Sequence, residues 1–204
     1  LKENTHTNLN TKLIVVTGGP GAGKTAVLEM AKKLLCKDAI IIPEAASIVF
    51  GGGFWRMPSL TAKASAQRAI FHVQREMENL VCEENQWKLG LCDRGTLDGL
   101  AYWPQEEKYF WEMSQTTLEK ELKKYYAVIH LRTPSDLFGY NHVNPLRIES
   151  STQSHEIDER IGSIWRQHSN YIEISSTADF LTKAQFALDK IAQFQAFCCK
   201  DQKN

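Results

Sequence analysis

A chain of 204 residues with 43% hydrophobic residues is long enough to bury one sizeable core. Its 24 lysines and arginines equal its 24 aspartates and glutamates, so the overall charge offers no field for a nucleic acid or an anionic membrane. The five cysteines are odd in number, without C-x-x-C spacing or histidines arranged for zinc, so neither a disulfide framework nor a structural metal is indicated and a reducing cytosol fits best.

Residues 1–11 are polar, lack the apolar centre of a signal peptide and read as a flexible lead-in. No later apolar stretch has the length of a membrane span. From Lys12 on, the pattern predicts a single domain over 12–204. Strands are expected at Lys12–Thr17, Ala39–Pro43, Lys88–Asp93, Tyr126–Arg132 and Tyr171–Ser175. Amphipathic helical stretches fall at about Lys24–Leu35, Thr61–Cys82, Glu106–Lys124, Glu156–His168 and Thr182–Phe197. Parallel strands need crossover connections, so this alternation predicts an α/β fold with a parallel sheet and helices on both faces. Two segments interrupt it. Gly51 to Pro58 joins a glycine triplet to Phe54, Trp55 and Arg56, as a flap over a ligand or as an ordinary surface loop. Residues from about 134 to 168 read as a lid or as a polar insertion, and carry Arg147 and Arg160.

The first strand leads directly into Gly18-Gly19-Pro20-Gly21-Ala22-Gly23-Lys24-Thr25, which fits the phosphate-binding loop G-x-x-x-x-G-K-[ST] between strand and helix. Glycines let successive backbone N–H groups converge on a β-phosphate. Lys24 reaches the β and γ oxygens, and the Thr25 hydroxyl ligates Mg²⁺. Ala26 continues the helix whose positive end faces the phosphates. The pattern therefore implies a nucleoside triphosphate with Mg²⁺. The Asn-Lys-x-Asp motif that reads guanine is missing, so ATP is the expected nucleotide and GTP the alternative.

In parallel sheets ligands bind beyond the carboxyl ends of strands, and the other candidates lie there. Asp93, ending the third strand, is placed to hold the metal with Thr25, and Arg94 to face an anionic substrate or the transferred phosphate. The plainer reading of this pair is a capping salt bridge. Glu44, after the second strand, suits a group that orients an attacking hydroxyl or accepts its proton; otherwise it is a helix N-cap. Asp98 is the rival carboxylate, for capping or for substrate. Gln67 or Gln74 could read a base edge and Tyr102 or Trp103 could stack on a ring, although solvated glutamines and core aromatics are the commoner cases.

The segments Val16 to Thr25, Ile42-Pro43-Glu44-Ala45-Ala46, Cys92-Asp93-Arg94-Gly95, His130-Leu131-Arg132-Thr133-Pro134 and Asn144-Pro145-Leu146-Arg147 together resemble one branch of P-loop proteins. That branch contains the ribosylnicotinamide kinase domain of NadR and the Ttd-type TRP-channel trafficking proteins of animals, both AAA-like ATP-binding domains. More distantly, Glu44 and Asp93-Arg94 are similar to the strand-end residues of deoxynucleoside and thymidylate kinases. The resemblance implies a five-stranded parallel sheet in order 2-3-1-4-5 with a lid, and the AAA label does not imply a hexameric motor.

Two functions are expected from these residues. The first is a Mg²⁺- and ATP-dependent phosphotransferase acting on a small hydroxyl acceptor such as a nucleoside or nucleotide. Lys24, Thr25 and Asp93 then hold the nucleotide, Glu44 orients the acceptor, and Arg94, Arg147 and Arg160 serve the transferred group. The second is a nucleotide-dependent switch, with slow hydrolysis, acting on a protein or lipid partner.

Overall fold

Apolar runs such as Leu13-Ile14-Val15-Val16 become strands because both of their faces are covered. Side chains alternate across a strand, so Ile14 and Val16 enter one core while Leu13 and Val15 enter another. The computed structural model describes residues 11–134, 151–176 and 179–199. In it β1 (Lys12–Thr17), β2 (Ala39–Ile42), β3 (Leu89–Asp93), β4 (Tyr125–Leu131) and β5 (Tyr171–Ile174) form one parallel sheet, ordered β2-β3-β1-β4-β5. This is the sheet of a P-loop NTPase.

One face is covered by α1 (Lys24–Lys32) and α8 (Phe180–Cys199), through Val27, Leu28 and Ala31 against Ala184, Ala187 and Ile191. The other is covered chiefly by α3 (Leu60–Glu84) and α7 (Ser151–Trp165), which bring Val81, Ile161 and Trp165 onto Val15, Cys92 and Val128. Between these lie α2 (Ala45–Gly51), α4 (Asp98–Ala101), α5 (Glu107–Ser114) and α6 (Leu118–Lys123). The stretch expected as one helix over Glu106–Lys124 is two. Gln115 takes a left-handed conformation at φ 52° that ends α5, and the Thr117 hydroxyl accepts the Lys120 N–H to begin α6. The short helices α2 and α4 were not evident from periodicity, having too few residues to show it.

Among the described residues no helix is long and apolar enough to cross a membrane. The helix expected from Glu156 belongs to the body of the fold. It begins at Ser151, and Ser154, Asp158, Ile161 and Trp165 form its fully buried stripe. Trp165 stacks edge-on to Tyr125, centroids 5.3 Å apart, and donates its indole N–H to Asp98 Oδ2 at 3.0 Å. Trp165→Ala is therefore expected to cost about 3–5 kcal/mol in urea unfolding. By contrast Trp55→Ala, at a position 80% exposed, should change stability by no more than ~0.5 kcal/mol. Similar losses for the two would mean that α7 is not packed on the sheet.

Candidate functional site

The phosphate-binding loop follows β1 directly and ends at the first turn of α1. Gly18 sits at φ 142°, and a Cβ there would fall 2.1 Å from the Leu131 carbonyl oxygen, so only glycine fits. Lys24 is buried, and its Nζ donates to the carbonyls of Gly18 at 2.8 Å and Gly19 at 3.0 Å. Burial first, and then the Arg94 guanidinium, push the ammonium down to about 7. The opening amides of α1, at Lys24 and Thr25, precede helical hydrogen bonding and form the positive end of the helix.

Parallel pairing sets Asp93 opposite Val16, and the Arg94 N–H donates to Val16 O at 3.1 Å, so the third strand delivers both residues beside the loop. Asp93 Oδ1 is buried and has no hydrogen-bond partner. Burial pushes the carboxyl up to about 6, against the opposing pull of Lys24. An orphaned oxygen of this kind, in a groove of about 760 Å³ also lined by Thr25, Glu44 and Ser47, fits a divalent cation bound through Thr25 and Asp93.

Arg94 has φ 70°, a strained conformation for a non-glycine residue. Its guanidinium joins three acceptors: Glu44 Oε1 at 2.8 Å, Asp98 Oδ1 at 2.9 Å and Gly18 O at 3.1 Å. Glu44 occupies the N-cap position of α2, yet its side chain makes no cap bond and serves Arg94 and the Ser47 hydroxyl instead. Burial alone would raise the Glu44 carboxyl, but Arg94 and the Ser47 hydrogen bond outweigh it and hold the group at about 2. Such a carboxylate is a strong hydrogen-bond acceptor and a weak base. Asp98 is fully engaged inside the protein. Besides Arg94 it accepts from the Thr17 hydroxyl at 2.5 Å, the Gly95 N–H at 3.2 Å and Trp165.

Several expected contacts with a base or ring give way to internal ones. Gln74 is buried and donates to Arg94 O at 3.1 Å and to Glu78 Oε1 at 2.8 Å, bracing the strained residue rather than facing solvent. Trp103 belongs to an aromatic core with Phe71 and Phe110, 5.5 Å from the latter. Tyr102 lies under the Arg94 guanidinium at 5.7 Å. In the Gly51–Pro58 segment the Phe54 N–H bonds to Val49 O, and Arg56 covers the Phe50 ring at 4.0 Å. Arg160 is exposed, about 200° around α7 from Asp158, so it does not join the cluster at the loop. Arg147 lies outside the described residues. Not expected from sequence were Asp158, His130, Thr133 and Lys183, all buried and tied to the loop.

A strand, a phosphate-binding loop ending on a buried lysine, and an unpaired aspartate at the adjacent strand end define a P-loop nucleotide-binding protein. Residues 13–180 match the family model of the AAA domain, and the chain belongs to that family. Domains of this class bind nucleoside triphosphate with Mg²⁺. No curated protein matches the chain.

Behind Arg94 the buried Glu78 carboxylate also takes the Tyr125 hydroxyl, 3.1 and 3.0 Å from its two oxygens. Burial raises it to about 7, above the usual carboxylate value of 4.5. Because the folded value lies above the unfolded one, the contribution of this group to stability is full below pH 4.5 and is lost as pH climbs through 7. Glu78→Gln should consequently stabilise the protein at pH 8, by up to about 3 kcal/mol, and give no gain at pH 4 in parallel urea titrations. An equal effect at both pH values would contradict this.

Proposed function

We propose that the protein is a phosphotransferase that uses a magnesium nucleoside triphosphate, ATP in preference to GTP, to phosphorylate a small hydroxyl compound. The observation that carries this reading is the Glu44–Arg94 ion pair beside the orphaned Asp93 oxygen. A hydrolytic loop needs a water-orienting group alone. Here a carboxylate and a guanidinium stand together on the side of the loop where an acceptor would meet the γ-phosphate.

Lys24 and the amides of the loop bind the β- and γ-phosphates, and Thr25 and Asp93 hold Mg²⁺, which when bound offsets the charge of the phosphate oxygens. Glu44, 28% exposed, is open to a solute and accepts a hydrogen bond from the acceptor hydroxyl, aligning its oxygen for in-line attack. Its low pKa assigns it orientation rather than proton storage. Arg94 faces the transferred group once the ligand draws it from Glu44. The likeness to the branch with the ribosylnicotinamide kinase domain favours an acceptor such as a nucleoside. Closure of the Gly51–Pro58 segment would exclude water during transfer.

A switch acting on a protein or lipid partner is the second reading. It is favoured by the run of exposed apolar side chains Phe54, Trp55, Met57 and Leu60. Acceptor-dependent turnover separates the two, since a switch hydrolyses slowly with nucleotide alone. In a coupled assay against a panel of nucleosides, Glu44→Gln should keep nucleotide affinity and lower transfer by roughly 10–10² -fold, with the pH profile unmoved. Loss of an acidic limb in that profile would instead make Glu44 a base, and unchanged transfer would remove it from the mechanism.

A further inference from the structure

The outer half of the phosphate-binding loop is held by residues that neither the pattern of the loop nor the family match assigns. Asp158, fully buried on α7, accepts three hydrogen bonds and pairs with one guanidinium, its partners coming from two segments, the loop and residues 130–133. Its Oδ1 takes the Gly19 N–H at 2.7 Å and His130 Nε2 at 2.9 Å. Its Oδ2 takes the Thr133 N–H at 3.2 Å and forms an ion pair with Arg132 Nε at 3.1 Å. A carboxylate can only accept, and three hydrogen bonds and one ion pair engage both of its oxygens. Two further ties run to the same half of the loop. The Thr133 hydroxyl donates to Pro20 O at 3.3 Å, and Lys183 Nζ on α8 donates to Ala22 O at 2.8 Å and also to Arg132 O.

Packing is as close as the hydrogen bonding. A Cβ on Gly19 would lie 2.8 Å from Asp158 Cβ, 2.9 Å from Ser154 O and 2.5 Å from Thr133 Oγ1. The glycine at 19 is therefore required by the docking of α7, whereas the phosphate-facing half of the loop is the part from Gly21 to Thr25. Lys24 Nζ bonds the carbonyl of Gly19, whose N–H Asp158 holds, so the two halves meet at one residue.

We propose that Asp158 is the positioning residue of the nucleotide site: through its bond to the Gly19 N–H it locks the loop to α7, so that loop and helix respond to nucleotide as one body. This rests on the reading of the loop as a nucleoside triphosphate site. Asp158 touches no phosphate in this scheme and acts through Gly19.

Hydrogen–deuterium exchange with and without saturating MgATP tests it, together with titration of a fluorescent ATP analogue. In the wild-type chain, nucleotide should protect residues 18–27 and also α7 over 154–165. In Asp158→Asn, which keeps the shape but turns an NH₂ toward two donors, the dissociation constant should rise at least tenfold. At saturation the loop should then be protected and α7 should not, an uncoupling that a merely structural defect would not produce. Gly19→Ala, which wedges a methyl group between loop and helix while leaving the carboxylate, should uncouple them in the same way and serves if Asp158→Asn does not fold. Protection of α7 in either folded variant equal to wild type would overturn the proposal alone. Failure of MgATP and MgGTP to protect residues 18–27 of the wild-type chain would overturn it together with the nucleotide-site reading.

Discussion

The carbonyl oxygen of Gly18 accepts hydrogen bonds from two cations at once, Lys24 Nζ at 2.8 Å and Arg94 Nη1 at 3.1 Å. Two positive charges so placed repel one another, and the cost is visible in the lysine, whose ammonium is depressed to about 7 by burial and by Arg94. Much of the surrounding structure counters that repulsion. Glu44 and Asp98 clamp the guanidinium from two sides, and Asp93 stands near enough to both cations to pull the lysine back toward charge. A bound polyphosphate would relieve that repulsion further, meeting two basic groups already in place beside the loop.

Holding Arg94 there requires a backbone angle that few side chains adopt willingly, and the fold stabilises it from behind. Gln74 bonds the Arg94 carbonyl and is itself fixed by Glu78, which in turn takes the Tyr125 hydroxyl. Tyr125 lies at the start of β4 and its hydroxyl meets the Thr96 N–H at 2.9 Å. One helix, α3, and the start of β4 thus converge behind one strained residue. A nearly dry carboxylate such as Glu78 is poor for stability, and its bonds to Gln74 and Tyr125 account for its place: they fix the geometry at Arg94 rather than add to the folding energy.

How much of this was legible in the sequence follows from how local each signal is. The loop, the five strands and the strand-end residues Glu44, Asp93 and Arg94 are local patterns, and a parallel sheet gathers strand ends at one edge, so reading them required no tertiary knowledge. Gln74 was singled out only for a base edge, and Glu78 and Asp158 were hidden, because a polar residue inside a helix reads as solvated. The signal that could have found them is the stripe they belong to: Phe71, Gln74, Glu78 and Val81 on α3, and Ser154, Asp158, Ile161 and Trp165 on α7. Each places polar groups on the face that its apolar members bury. Lys183 escaped for the same reason. The break at Gln115 is harder, since glutamine carries no propensity for the left-handed turn it makes.

The arrangement also divides the labour around the loop. On the β2–β3 side stand Glu44, Arg94 and Asp93, partly open and able to exchange partners with a ligand. On the β4–β5 side stand Asp158, His130 and Lys183, closed and satisfied by protein atoms. Chemistry needs groups whose hydrogen bonds can be given up, and support needs groups whose bonds cannot. The unsatisfied Asp93 oxygen and the solvent-facing Glu44 carboxylate belong to the first kind, and both lie on one flank of the loop. Under the proposed reading, an acceptor would approach the γ-phosphate from that flank without disturbing the closed groups that hold the loop, an asymmetry suited to transfer to a second substrate.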